Sequence, residues 1–146
     1  MARLLIVDDE RPVRGMIHRC LQDLGHEIGE AENAPAALAS MAQAPADVVF
    51  CDVQMPGEDG LWLTRQIRNM YPTTAVVLAT GVSSVAPNIS MQAGVLAYLV
   101  KPFSRQAVRD ALTVALEWHD KVKVSGPRPE DIGERLQQWL DSLEDM

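Results

Sequence analysis

The segment that decides the fold is residues 48–60, VVFCDVQMPGEDG. It begins with four apolar residues, three of them β-branched or aromatic, a run typical of a strand buried on both faces of a parallel sheet. The run ends at a carboxylate, Asp52, and a loop rich in turn-forming residues follows. Open α/β sheets carry their functional groups at the carboxyl ends of the strands. Asp52 is therefore either the start of a turn or part of a site, and the ends of the other strands decide which.

The composition predicts a single globular domain. The chain has 146 residues, of which 47% are hydrophobic and 23% are charged. Its sequence contains no apolar stretch of the roughly 20 residues that a membrane-spanning helix needs, and its apolar N-terminus is too short for a signal peptide. Cys20 and Cys51 both lie among apolar residues, which predicts buried, reduced thiols and a cytoplasmic location.

The negative charge is concentrated at the C-terminal end of the chain. The net charge is −7, and residues 129–146 hold six acidic residues and one basic residue, which gives −5 and leaves −2 for residues 1–128. Neither part has the basic patch expected of a nucleic-acid-binding protein. We therefore expect no direct contact with nucleic acid and none with a membrane.

Strand patterns alternate with helix patterns along residues 1–121. The predicted strands are residues 4–7, 26–32, 48–51, 75–79 and 96–100. Five helices are predicted. The first begins at Pro12 and stops at Gly25, the next three cover residues 35–42, 60–70 and 88–93, and the last runs from Ser104 to about residue 121. This alternation predicts an α/β fold, a doubly wound five-stranded parallel sheet with five helices and right-handed crossovers.

The remaining residues predict a linker and an additional helix. Residues 122–128 read as a linker, and residues 129–146 as an amphipathic acidic helix. The apolar stripe of that helix consists of Ile132, Leu136, Trp139, Leu140 and Leu143. Such a stripe needs a partner surface, which is either the same domain or a second copy in a homodimer. A third possibility is that the helix begins a longer signalling helix.

Four predicted strands end at polar side chains that suit phosphoryl chemistry. The first ends at Asp8 and Asp9, the third at Asp52, the fourth at Thr80 and the fifth at Lys101. Parallel strands bring these ends to one edge of the sheet, where carboxylates repel one another unless a hard cation such as Mg²⁺ neutralises them. A lysine and a hydroxyl group suit the oxygens of a phosphoryl group. The set predicts phosphoryl transfer to an aspartate.

With these motifs the sequence resembles the receiver domain of bacterial two-component response regulators, the CheY-like group with a flavodoxin-like fold. The resemblance rests on LLIVDDE at residues 4–10, DVQMPGEDG at 52–60, ATG at 79–81 and AYLVKPF at 97–103. It covers residues 3 to about 121. The resemblance implies a domain that is phosphorylated in two-component phosphorelay signalling and that catalyses only its own phosphorylation and dephosphorylation.

The resemblance implies a role for each site residue. Asp52 becomes the phosphoacceptor, and Asp8, Asp9 and Asp52 bind Mg²⁺ together with the main-chain carbonyl of Gln54. The residues implied to respond to the phosphoryl group are Thr80 and Lys101, which hold its oxygens, and Tyr98, the aromatic switch.

The resemblance also implies the partners, and two alternatives remain open. The phosphoryl donor is a sensor histidine kinase or a phosphotransfer protein, and the output is contact with a downstream protein target or an effector domain. One alternative is a Mg²⁺-dependent phosphohydrolase with an aspartyl-phosphate intermediate. Haloacid-dehalogenase-like enzymes of that kind have their nucleophile on the first strand, whereas here the acidic pair comes first. The other is a receiver-like scaffold that is never phosphorylated, which the complete set of polar residues disfavours.

Overall fold

A five-stranded parallel sheet forms the centre of the molecule. The computed structural model describes residues 1–53, 55, 57, 60–80, 97–100 and 102–125. Its strands are β1 (Arg3–Val7), β2 (Glu27–Ala31), β3 (Val48–Cys51), β4 (Ala75–Thr80) and β5 (Ala97–Val100). Their order across the sheet is β2-β1-β3-β4-β5, and every neighbouring pair is parallel. The predicted doubly wound parallel sheet is confirmed.

The strand order places a switch point between β1 and β3. From β1 the chain first adds β2 on one side of the sheet, and it then adds β3, β4 and β5 in turn on the other side. In open α/β sheets, the connections on either side of such a switch point diverge, and ligands bind outside the carboxyl ends of the two strands. The acidic motifs of the sequence follow these two strands.

Four α-helices lie in the described part of the chain. They are α1 (Arg11–Leu21), α2 (Ala34–Gln43), α3 (Gly60–Met70) and α4 (Arg105–Ser125). Side chains cap the N-termini of two of these helices. The side-chain oxygen of Asn33 accepts a hydrogen bond from the amide of Ala36 at 2.8 Å, and the Ser104 hydroxyl accepts one from the amide of Ala107 at 3.0 Å.

The helices cover both faces of the sheet, which explains why the β3 sequence is apolar without alternation. Val48 and Phe50 join the core that includes residues of α1 and α4, whereas Val49 and Cys51 join the core of α2 and α3. All four residues are at most 1% exposed. A strand between two helix layers has no solvent-facing side, so every position is apolar.

Two helix ends differ from the predictions. Helix α1 ends at Leu21 and a short 3₁₀ turn (Gln22–Leu24) follows, so that Gly25, with φ of 83°, ends the turn and not the α-helix itself. Helix α4 continues to Ser125, beyond its predicted end near residue 121. Val122 is 1% exposed within the core of α1 and α4, and this burial extends the helix into the first part of the predicted linker.

Two predicted elements lie outside the described residues: the short helix at residues 88–93 and the acidic helix at residues 129–146. Within the described ranges, no helix combines the length and the apolar character required to span a membrane.

Candidate functional site

Backbone pairing at the switch point brings Asp8 and Asp52 to the same level of the sheet. Val7, the last residue of β1, is paired with Cys51, the last residue of β3. The ladder continues one step further, because the amide of Asp52 donates to the carbonyl of Val7 at 3.0 Å. On the other side of β1, the amide of Asp8 donates to the carbonyl of Ala31 in β2 at 3.2 Å. Both aspartates are therefore fixed by main-chain bonds to neighbouring strands.

Three carboxylates meet at this edge of the sheet. Oxygen atoms of Asp8, Asp9 and Asp52 lie within 4.8 Å of one another. Asp8 is 1% exposed and Asp52 is 5% exposed, whereas Asp9 is open to solvent. Two unit charges at this separation repel by roughly 3 kcal/mol at an effective dielectric constant of about 20. A set of oxygen ligands with this excess of negative charge fits Mg²⁺, and the exposed member leaves a side open to solvent and to a phosphate group.

The turn that carries Asp8 is held by its own side chain and by α1. The carboxylate of Asp8 accepts a hydrogen bond from the amide of Glu10 at 2.8 Å, and its main-chain carbonyl accepts one from Nη1 of Arg14 at 2.6 Å. Arg14 also donates from Nε to Glu30 in β2 at 3.2 Å. The other carboxylate oxygen of Glu30 is 2.9 Å from Nδ1 of His18.

The loop after Asp52 is anchored by apolar side chains and by the start of α3. Val53 is 6% exposed and Met55 is 8% exposed in the core of α2 and α3. Gly57 has a φ of 80°, a conformation that residues with a Cβ atom rarely adopt. The amide of Gly60 donates to the carbonyl of Val53 at 3.0 Å, which closes the loop. Gln54, predicted to bind the metal through its carbonyl, lies outside the described residues.

The predicted phosphoryl-binding residues belong to the next strands. Strand β4 lies beside β3 and ends at Thr80, which is paired with Val100 at the end of β5. Lys101 follows Val100 directly and lies outside the described residues. The backbone order across the sheet is thus Asp8, Asp52, Thr80 and then the position before Lys101.

Tyr98, the predicted switch residue, points into the protein. It lies in β5 opposite Leu78, is 8% exposed and belongs to the core of α2 and α3. Burial raises the pKa of its phenol above the ordinary value of 10.0. The ring is therefore held as a neutral group within the core.

Sequence reasoning gave no supporting role to Arg14, Glu30 or Gly60. One signal was present for Arg14: it lies in the first turn of a helix, where a positive charge is unfavourable beside the helix dipole. A basic residue at such a position indicates a compensating anion or carbonyl nearby. No local signal pointed to Glu30, because its partners lie on another element.

The comparison with family models identifies one match. Residues 4–113 match the model of the response regulator receiver domain. That range includes the three clustered aspartates and the predicted positions of the lysine and the tyrosine.

Curated relatives are considerably longer than this chain. The alginate biosynthesis transcriptional regulatory protein AlgB of Pseudomonas aeruginosa is 34% identical over 143 residues, which cover 97% of this chain and 31% of AlgB. The DNA-binding transcriptional regulator NtrC of Salmonella typhimurium is 32% identical over 136 residues, covering 88% of this chain and 29% of NtrC. The chain thus spans less than a third of the length of these two relatives.

A solved structure of similar size shows the same fold. A response regulator receiver domain protein from Clostridium thermocellum is 27% identical, with a TM-score of 0.77, and the match covers 84% of this chain and 99% of that one.

Proposed function

Because this chain belongs to the family of response regulator receiver domains, we propose that it accepts a phosphoryl group on Asp52 in a Mg²⁺-dependent reaction. The observation that carries this proposal is the position of the Asp52 carboxylate, which is buried yet lies within 4.8 Å of the carboxylate oxygens of Asp8 and Asp9. A carboxylate used only to start a turn has no need of two further acids beside it.

Asp8, Asp9 and Asp52 are the side chains that would hold Mg²⁺, with the carbonyl of Gln54 as a further ligand. The bound ion would neutralise the carboxylates and the incoming phosphate, so that two anions can approach each other. The exposed position of Asp9 makes it the better direct ligand of the acidic pair, since an ion there retains the waters that Mg²⁺ releases reluctantly.

In the proposed reaction, a carboxylate oxygen of Asp52 attacks the phosphorus atom of the donor. A new O–P bond forms as the bond between phosphorus and the leaving group breaks, and the electron pair of that bond stays with the leaving group. For a phosphohistidine donor the leaving group is an imidazole nitrogen, and for acetyl phosphate it is an acetate oxygen. Main-chain bonds hold Asp52 at the end of β3, which reduces the entropy lost in aligning the attack.

Thr80 and Lys101 would bind the oxygens of the transferred group. The hydroxyl would donate a hydrogen bond to the phosphoryl oxygens, and the ammonium group would balance their negative charge. Thr80 ends the strand beside β3, and Lys101 follows the residue paired with Thr80. We propose that movement of Thr80 toward the phosphoryl group frees space for the ring of Tyr98, which would couple the site to the surface around β5.

The proposed partners are a histidine kinase or phosphotransfer protein as donor and a protein target or effector domain as output. A cytoplasmic location remains the prediction, and the burial of both cysteines agrees with it. A homodimer through residues 129–146 remains a prediction as well.

The two alternatives predict different chemistry. A phosphohydrolase would turn over a phosphate ester and release inorganic phosphate repeatedly. A receiver-like scaffold would bind its partner equally well with or without a phosphoryl donor.

The test is intact-mass measurement after incubation with acetyl phosphate. We expect the wild-type chain to gain one phosphoryl group with Mg²⁺ and none after chelation with EDTA. Asp52→Asn should abolish the gain, whereas Asp23→Asn, an exposed aspartate on the turn after α1, should not change it. Equal modification of Asp52→Asn and the wild type would refute the assignment of the phosphoacceptor.

A further inference from the structure

Arg14 joins three elements around the acidic turn. Its Nη1 donates to the main-chain carbonyl of Asp8 at 2.6 Å, and its Nε donates to the Glu30 carboxylate at 3.2 Å. The Arg14 side chain is 14% exposed, and that of Glu30 is 35% exposed. Through these contacts, α1 and the edge strand β2 both support the turn that follows β1.

The location of Arg14 is unfavourable without these contacts. Helix α1 begins at Arg11, has no acidic residue in its first turn and receives no hydrogen bond from the side chain of its N-cap, Glu10. The N-terminal end of a helix carries a partial positive charge, so a guanidinium group there is destabilising by itself. The Asp8 carbonyl and the Glu30 carboxylate offset this cost.

The contacts of Asp8 show what Arg14 adds. The amide of Asp8 is held by β2, and its carboxylate accepts a hydrogen bond from the amide of Glu10. The main-chain carbonyl is the third polar group of the residue, and Arg14 binds it. That carbonyl belongs to the peptide unit between Asp8 and Asp9, so its orientation sets the direction in which the chain enters Asp9.

We propose that Arg14 is a positioning residue for the acidic cluster, fixing the peptide unit between Asp8 and Asp9 while Glu30 fixes the guanidinium. This inference rests on the proposed function, since it assigns Arg14 a role in presenting Asp9 to Mg²⁺. Groups that orient metal ligands through hydrogen bonds typically change metal affinity by about 10- to 100-fold when removed.

A purely electrostatic role makes the opposite prediction. Removing a positive charge near three carboxylates raises the affinity of those carboxylates for a cation. If Arg14 acted only through its charge, Arg14→Gln would therefore bind Mg²⁺ more tightly, and the difference would fade at high salt. If Arg14 positions the turn, the same variant binds Mg²⁺ more weakly, and salt has little influence on the difference.

The experiment is a Mg²⁺ titration by calorimetry, without a phosphoryl donor, on the full chain and its variants. The matched control is Arg109→Gln. Arg109 likewise bridges a main-chain carbonyl and a carboxylate, those of Cys20 at 3.0 Å and Asp23 at 2.6 Å, and neither of these partners belongs to the acidic cluster. Thermal unfolding in EDTA gives the loss of stability for each variant.

We expect the Kd for Mg²⁺ to rise roughly 10-fold in Arg14→Gln and to stay at the wild-type value in Arg109→Gln. Arg14→Lys retains the charge but cannot bridge both partners, and it should show an intermediate Kd. Glu30→Gln should weaken binding in the wild-type background and add nothing in the Arg14→Gln background, because the two residues act as one unit.

The outcomes separate the two proposals. An unchanged or lower Kd in Arg14→Gln, or an equal rise in Arg109→Gln, would overturn the positioning role while leaving the proposed function intact. If the wild type failed to bind Mg²⁺ or to accept a phosphoryl group, the proposed function would fail first and this inference with it. Arg14→Lys keeps the test decisive if Arg14→Gln does not fold.

Discussion

Gly60, the first residue of α3, lies directly against the main-chain carbonyl of Asp52. A Cβ atom added to Gly60 would overlap that carbonyl oxygen and would lie 2.9 Å from the carbonyl carbon and 3.0 Å from Sγ of Cys51. The carbonyl of Gly60 accepts a hydrogen bond from the buried Thr64 hydroxyl at 2.7 Å, which fixes the first turn of the helix. The start of α3 and the end of β3 are therefore packed backbone against backbone.

We predict that Gly60→Ala destabilises the protein and weakens Mg²⁺ binding. Overpacking of this kind costs about 1–3 kcal/mol. The overlapped atom belongs to the backbone, so the clash cannot be relieved by the rotation of a side chain. Urea unfolding measures the stability, and a Mg²⁺ titration measures the displacement of Asp52. The matched control is Gly29→Ala, whose added Cβ would make only an ordinary contact of 3.6 Å with Leu5. Equal stability of both variants would contradict the prediction.

The sequence predicts the elements of the fold whose bounds are marked by a local pattern of apolar and turn-forming residues. The predicted bounds of β3 and α3 match the structure. For β3, a four-residue apolar run between turn signals is too short for a helix, and its lack of alternation favours a strand with both faces covered. The end of α4 could not be predicted in this way. Val122 continues the helix because it fills the core beside α1, and that contact is between elements distant in sequence.

The site was predictable to the extent that parallel topology brings strand ends together. The convergence of Asp8, Asp9 and Asp52 follows from the order β2-β1-β3 and from the register of Val7 with Cys51. The supporting residues were not predictable, because the close approach of Gly60 to Asp52 depends on the path of a loop. No pattern in the sequence indicates how close Gly60 lies to Asp52.

Lys101→Ala is predicted to fold normally but to lose its response to the phosphate mimic beryllofluoride. The proposed role of the lysine is to bind the transferred phosphoryl group, so we expect its replacement to reduce this response more than it reduces the free energy of unfolding. Two-dimensional NMR with and without beryllofluoride measures the response. Lys123→Ala serves as control, since Lys123 is exposed on α4 and pairs with Asp120. Unfolding of Lys101→Ala at room temperature would show that the lysine is structural.

Arg109→Gln is predicted to raise the pKa of Asp23. The hydrogen bond from Arg109 is the main reason that this pKa lies below the ordinary value of 3.8. A lowered pKa in the folded protein stabilises the fold above the unfolded pKa, and this contribution is lost as the pH falls through the folded value. NMR titration of the Asp23 carboxyl group measures the shift. Asp120 provides an internal control, because its pKa is lowered mainly by Lys123. A simultaneous rise at Asp120 would indicate a general loss of structure instead.

The burial of Tyr98 predicts a loss of stability in alkaline solution. Burial raises the pKa of the phenol above 10.0, because the core disfavours the tyrosinate. The unfolded chain then ionises first as the pH rises. The contribution of Tyr98 to the free energy of unfolding is therefore fully present below pH 10. It declines as the pH rises from the pKa of the unfolded chain to that of the folded protein.

Tyrosinate absorbance tests this prediction in a Tyr71→Phe variant, which leaves Tyr98 as the single tyrosine of the chain. We expect the native protein to ionise at higher pH than the same variant in urea. Urea unfolding of Tyr98→Phe should show a weaker loss of stability above pH 10 than the wild type. Ionisation of Tyr98 at the same pH in the native and the unfolded protein would mean that its ring is accessible to solvent. That result would contradict the burial of Tyr98 and the prediction based on it.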